Sequence, residues 1–235
     1  MRVFLAGVLL VLAFAAAGCG GGGSSSNGSP NGEAAKSAEQ VLADAVKAAE
    51  AASSTHMSGE VNTPAQQIGL DMTIVKGKGA TGSITLKGKK VELVVIGADA
   101  YMKAGADFWT QFGGSRGPMI AQLVSDKWLK FPTGNAQFGQ LTSFTNSNSI
   151  FESMSSGHGK LVNKGLTTYE GQSAVAINDS SEDGTLYVAA TGTAYPIAVS
   201  GIGGSSSGAI KFDKWNESVT LTAPDGALDF SQFIH

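Results

Sequence analysis

The chain contains a single cysteine, Cys19, so no disulfide can form within it and the fold must depend on burial and hydrogen bonding. Only 15% of its 235 residues are charged, and the formal net charge is −3. The densest group of cations is Lys87, Lys89 and Lys90, which is too small for the basic surface that phosphate backbones require. Nucleic acid is therefore excluded as an expected partner.

Histidine is also scarce. The three histidines, His56, His158 and His235, lie far apart and have no Cys or His neighbours at ligand spacing, so we expect no metal site. The acidic run at Asp179, Glu182 and Asp183 could hold a weak calcium ion, but its composition favours a solvated hairpin tip.

The sequence matches two catalytic or phosphate-binding motifs, but neither lies in the secondary structure that its function requires. Gly113 to Gly117 and Gly204 to Gly208 both fit G-x-S-x-G, but a nucleophile elbow requires a parallel α/β sheet. Gly77 to Gly82 fits G-x-G-x-x-G, yet a strand pattern follows it where phosphate binding requires a helix. We therefore expect no catalytic residues, no cofactor and no enzyme activity.

The N-terminus has the pattern of a lipoprotein signal peptide. Arg2 is followed by an apolar run, and small residues lead to Cys19. This predicts a signal peptide over residues 1–18, with Cys19 acylated and anchored to the outer face of the cell membrane. The alternative is ordinary secretion, with cleavage at Ala15-Ala16-Ala17. Residues 19–33 are rich in Gly, Ser and Asn and predict a flexible tether, and residues 34–235 are expected to form one domain.

The domain begins with a helix pattern. Ala38, Val41, Leu42, Ala45 and Ala49 recur at helical spacing and predict an amphipathic helix with a narrow apolar stripe.

Strand patterns follow the helix. Alternating apolar residues, starting at Ile68, predict strands joined by short turns up to Lys103. A second series of strands is predicted in the last third, including Leu161-Val162, Leu166 to Tyr169 and Ser218 to Ala223. Since no helices separate these strands, we predict an α+β fold with one large antiparallel sheet.

Between the two series lies a less regular region. It contains a candidate helix with Pro118 at its start, a short strand stopped by Pro132, and a helical turn over residues 149–154. Apolar and aromatic side chains are concentrated here, which favours a lining for a ligand cavity or a plain packed core. The candidate lining residues are Trp109, Phe112, Met119, Leu123, Trp128, Phe131, Phe138 and Phe151.

Three segments resemble actinobacterial lipoproteins of the LppX and LprG type, whose fold is similar to that of the carriers LolA and LolB. They are Ala43 to Ala49 leading into Thr55 to Gly59, Val91 to Trp109, and the strands from Gly184 to Trp215 closed by Val219 to Pro224.

The resemblance implies a strongly curved sheet, a half-barrel, packed against the N-terminal helix and short central helices. It also implies an apolar cavity for the acyl chains of a lipid or glycolipid. A non-catalytic, membrane-anchored lipid carrier is the leading interpretation. The alternative is an envelope sensor or scaffold of the same fold that binds a protein partner.

Overall fold

The computed structural model describes residues 29–62, 67–134, 145, 147–181, 184–201 and 208–230. The predicted signal peptide, Cys19 and Phe138 lie outside the described residues. Within them, no helix combines the length and the apolar character that a membrane span requires.

The described strands form one sheet, mixed by a single parallel pair. They are β1 Ser54–Asn62, β2 Gln67–Val75, β3 Gly79–Leu86, β4 Lys89–Ile96, β5 Asp99–Ala104, β6 Leu129–Pro132, β7 Leu161–Tyr169, β8 Gln172–Asp179, β9 Thr185–Ala189, β10 Pro196–Ser200, β11 Gly208–Asp213 and β12 Leu228–Asp229. Their order is β12-β6-β5-β4-β3-β2-β1-β11-β10-β9-β8-β7. All described pairs are antiparallel except β12 with β6. The prediction of an α+β fold with a large sheet is confirmed, and the sheet is mixed rather than wholly antiparallel.

The N-terminal helix, α1 (Ala38–Ala51), forms as predicted. Ser37 caps it by accepting a hydrogen bond from the Gln40 amide, while the Gln40 side chain accepts one from the Ser37 amide. The predicted apolar stripe of α1 is buried against the core, which includes Val41 and Ala45, both with no exposed surface.

Among the residues that the structure describes, the middle of the chain contains three short helices: α2 (Ala106–Phe112), α3 (Gly117–Val124) and α4 (Ser147–Ser156). The candidate helix at Pro118 is confirmed as α3. No regular element was expected over residues 106–112, because a helix of seven residues is too short to show a repeating pattern. Its buried residues, Phe108 and Trp109, tie α2 to the core, and the Trp109 indole donates a hydrogen bond to the Ala104 carbonyl (3.1 Å).

Two strand predictions were wrong in detail. Ser218 to Ala223 form no strand, because this segment follows β11 in the middle of the sheet and leads across to β12 beside β6. Leu161-Val162 and Leu166 to Tyr169 belong to one strand, β7, whose register shifts between Asn163 and Gly165.

The last residues of the predicted tether contact the sheet. Pro30 forms a β-bridge with Thr191, and the Asn31 side-chain amide donates to the Ala189 carbonyl (2.7 Å). Glu33 is buried. Residues 29–33 are therefore docked on the sheet. Composition did not reveal this, because they are held by hydrogen bonds and a buried carboxylate rather than by apolar side chains.

Candidate functional site

The described interior contains an apolar cavity of about 450 Å³, partly open to solvent. This volume lies in the range of small-molecule sites in proteins. Its aliphatic and aromatic lining comes from both helical and strand elements. The lining residues of this kind are Leu42, Met57, Val61, Ile68, Leu70, Ile150, Met154, Leu161, Ile177, Leu186, Val199, Ile210 and Phe212.

Strand alternation explains why these side chains share one space. Successive side chains of a strand point to opposite faces, so residues two or four apart line the same face. Ile68 and Leu70 on β2 and Ile210 and Phe212 on β11 follow this spacing. The cavity is therefore built on the inward face of the strands that also provides the core.

Two helices close the cavity from above the sheet. Leu42 of α1 borders it, as do Ile150 and Met154 of α4, which are one helical turn apart. Between them Phe151 is fully buried and lies against Phe212, with ring centroids 5.6 Å apart. Phe151 therefore fixes α4 to the sheet while its neighbours face the cavity.

The polar part of the lining is gathered where strands end. Gly157 and His158 precede β7, Asp179 ends β8, and Gly184 and Thr185 lie at the start of β9. We call this side of the sheet the mouth edge. The strand register places the end of β1, the start of β2 and the β3–β4 turn at the same edge.

Asp179 organises the backbone at the mouth edge. One carboxylate oxygen accepts hydrogen bonds from the Ser181 hydroxyl (2.7 Å) and amide (2.9 Å), and the other accepts one from the Gly159 amide (2.9 Å). These bonds, the Ser181 hydroxyl first, lower the pKa of Asp179 below its ordinary value of 3.8. The carboxylate is thus charged at neutral pH and is already hydrogen-bonded to Ser181 and Gly159.

His158 is the other titratable side chain in the lining. Its Nδ1 lies 2.9 Å from the Gly159 carbonyl oxygen. Because a carbonyl only accepts hydrogen bonds, Nδ1 must carry the hydrogen in this contact, which leaves Nε2 for a ligand. The mouth edge can therefore offer a few hydrogen bonds, while the interior offers only apolar contact.

The structure separates the residues that the sequence proposed as cavity lining. Trp109, Phe131 and Phe151 are buried in the core, Trp128 is half-buried, and Phe112, Met119 and Leu123 are exposed on α2 and α3. None of these seven borders the cavity, and Phe138 lies outside the described residues.

The actual lining was missed because it consists of ordinary strand aliphatics. The alternation from Ile68 marked an inward face, but no local signal distinguishes side chains around a void from side chains in a packed core.

The residues in catalytic and metal motifs are spread over the molecule. Ser115 is exposed in the turn between α2 and α3, and Gly77 to Gly82 lie in the β2–β3 hairpin, as expected. His56 lies on β1, where Nδ1 is 2.7 Å from Asp213 and Nε2 is 2.9 Å from Asp71. Among the described residues, no cluster of three or more His, Cys, Asp or Glu side chains is arranged to hold a metal ion.

The fold and the cavity together define an α+β protein with a partly open apolar interior. The chain is similar in structure to LprF from Mycobacterium bovis, with a TM-score of 0.54 and 16% identity over 85% of this chain and 100% of LprF. It is also similar to the lipoprotein LppX of Mycobacterium tuberculosis, with a TM-score of 0.50 and 17% identity over 79% of this chain and 98% of LppX. At these identities the likeness shows the fold, and the resemblance to the LppX type is confirmed at that level. No protein-family model and no curated protein matches the chain.

Proposed function

We propose that the protein binds an acyl chain of a lipid or glycolipid in the apolar cavity and holds or carries it without chemical change. The cavity carries this proposal. A water molecule occupies about 30 Å³ of liquid and a methylene group is of similar size, so a space of about 450 Å³ has room for about fifteen such groups. Each buried methylene contributes about 0.8 kcal/mol, which makes the transfer of a long alkyl chain favourable by about 12 kcal/mol before the costs of binding.

The proposal includes a sheet that curves around the ligand, as in a half-barrel. Ile68 on β2 and Leu161 on β7 border the same cavity, although five strands separate β2 from β7. In a flat sheet this separation would be about 29 Å, since neighbouring strands lie about 4.8 Å apart. A cavity of this volume reaches both strands only if they are brought towards each other, and this supports a strong curvature.

We further propose that the protein is exported and that Cys19 carries the lipid anchor predicted from the sequence. The apolar run before Cys19 and the small residues at the cleavage point support export. An exported protein that hides an acyl chain would allow a lipid to leave the bilayer without exposing its tail to water. The fold shared with LppX, itself described as a lipoprotein, agrees with this placement.

Analysis of copurifying molecules tests the function. The protein is purified from a bacterial host, sprayed under native conditions, and then extracted with organic solvent. We expect a population with one bound acyl lipid, which the extraction releases. The variant Val199→Phe, whose larger ring fills part of the cavity, should reduce the occupied fraction. Protein that is free of lipid and also fails to bind an added fluorescent fatty acid would refute the proposal.

A further inference from the structure

The exposed hydrophobic side chains of the described surface are concentrated on one helical pair. Large apolar residues are exposed at four described positions, and three of them are Phe112 (39%), Met119 (55%) and Leu123 (49%). The fourth, Leu166, lies on the outermost strand β7. We call Phe112, Met119 and Leu123 the hairpin face, because α2 and α3 together form a short helical hairpin.

The packing of the hairpin holds this face outward. Phe108 and Trp109 of α2 and Ala121 and Val124 of α3 are buried. Met119 and Leu123 are separated by one helical turn and therefore lie side by side on α3.

The start of α3 lies directly on α2. A Cβ on Gly117 would come within 2.6 Å of the Trp109 carbonyl oxygen, a distance that only glycine permits. None of the three hairpin-face residues belongs to the buried core, although the Phe112 ring lies against that of Phe108, with centroids 4.9 Å apart.

The hairpin face is at the mouth edge. β5 runs towards this edge, since Ala104 pairs with Val91 near the start of β4, and α2 follows β5 at once. α3 leads back into β6, where Leu129 pairs with Met102. The exposed apolar side chains therefore lie on the same side of the sheet as Gly157 and His158, the solvent-exposed lining residues of the cavity.

Cations accompany the hairpin. Residues 87–130 contain seven Lys or Arg against four Asp or Glu, a net charge of +3, whereas the whole chain carries −3. Lys87 lies in the β3–β4 turn and Lys90 follows it on β4. Both are exposed, and neither forms a salt bridge among the described residues. Lys89 in the same region pairs with Asp107 of α2 (2.8 Å), which places this turn beside the hairpin. Apolar side chains flanked by cations are the pattern of a surface that docks on anionic lipid.

We propose that the hairpin face docks the mouth edge onto an anionic bilayer surface, so that the cavity opens towards the membrane. Phe112, Met119 and Leu123 would enter the interfacial layer, and Lys87 and Lys90 would lie over the headgroups. This inference adds a docking surface to the proposed lipid-binding function, and its test does not depend on occupancy of the cavity.

The length of chain before the fold permits this orientation. The described chain begins at Ser29 on the opposite edge, where Pro30 pairs with Thr191 beyond the end of β9. Cys19 precedes Ser29 by ten residues, which can reach about 35 Å when extended. A nine-residue strand is about 30 Å long, so a domain held through Cys19 could still turn its mouth edge to the same bilayer.

Vesicle sedimentation tests the docking surface. We use the chain from residue 19 with Cys19→Ser, which retains every described residue and carries no acyl group. The vesicles contain phosphatidylcholine with about one-third phosphatidylglycerol, an anionic lipid. The double variant Met119→Ser/Leu123→Ser should bind these vesicles about tenfold or more weakly, with an unchanged circular dichroism spectrum and melting temperature. The matched control Leu166→Ser removes an exposed leucine elsewhere and should bind as the parent does.

Two further measurements identify the source of binding. Lys87→Glu/Lys90→Glu should weaken binding to the anionic vesicles but not to vesicles of phosphatidylcholine alone, and salt should have the same effect. Val199→Phe should dock normally even where it no longer binds a fatty acid, so a failure of docking and a failure of lipid binding are distinguishable. Equal vesicle binding by parent and double variant would overturn the proposal. So would a self-associated parent that becomes monomeric in the double variant, because the hairpin face would then bind a second copy.

Discussion

Filling the cavity from β10 tests whether the apolar space receives an alkyl chain. Val199 pairs with Leu186 on one side and Ile210 on the other, and all three border the cavity. Val199→Phe adds four carbon atoms to a space with room for about fifteen groups of that size. The ring should therefore occupy about a quarter of the ligand's volume.

The expected loss of affinity follows from the methylenes that the ring displaces. Four methylenes at about 0.8 kcal/mol each correspond to about 3 kcal/mol, or about a hundredfold weaker binding of a long-chain fatty acid. The free energy of unfolding should change by less than about 1 kcal/mol, because the ring enters space that is already empty and displaces no packed side chain.

Val188→Phe is the matched control for this substitution. Val188 on β9 is fully buried and packed, and it does not border the cavity. Here the larger ring has no free space, so we expect a loss of about 1–3 kcal/mol in stability. Urea denaturation measures stability, and titration with a fluorescent fatty acid measures binding. If both variants lose the same stability and Val199→Phe binds the fatty acid as the parent does, the cavity is not a ligand site.

Three other substitutions test the elements around the cavity. Phe151→Ala removes the side chain that fixes α4 and should cost about 3–5 kcal/mol in urea denaturation, and a loss below 1 kcal/mol would contradict this role. Gly59→Ala should destabilise β1 by at least the roughly 1–3 kcal/mol of backbone strain, because Gly59 has φ +143° and a Cβ would meet the Ala209 carbonyl oxygen. The folded state lowers the pKa of Asp179 below its ordinary value of 3.8. Its charged form therefore stabilises the fold at a pH above 3.8, and this stabilisation is lost as the pH falls through the pKa of the folded state. Asp179→Asn should therefore show a smaller loss of stability on acidification than the parent does in denaturation at several pH values, and identical profiles would show that the Ser181 contacts are unimportant.

The regular elements of the fold were predictable because their patterns are local. The stripe from Ala38 to Ala49 specified α1, and the alternation from Ile68 specified β2 and the strands that follow it up to β5. A strand prediction was wrong where the residues alternate like a strand but do not pair with a neighbouring strand. Residues 218–223 alternate as a strand does, but they have no ladder partner and stay outside the sheet.

The sequence predicted an apolar cavity but not the residues that line it. The concentration of aromatic residues in the middle of the chain predicted a cavity lining there, yet the buried Trp109 and Phe131 fix α2 and β6 to the core. The cavity is lined instead by aliphatic side chains from strands far apart in sequence, such as Ile68 and Leu161. No single segment carries this information, because a void depends on how the inward faces are spaced.

The sequence by itself determined the composition of the two faces of each strand, the amphipathic helix α1, and the N-terminal pattern from which we propose export and acylation at Cys19. These follow from periodicity and residue type over short distances along the chain. Only the tertiary structure decided that the inward faces of β1, β2 and β7–β11 leave an apolar cavity, and that the exposed side chains of α2 and α3 lie at the same edge as the polar part of its lining. Both depend on strand order and on the distances between elements, which are set by packing of the whole sheet rather than by any local preference.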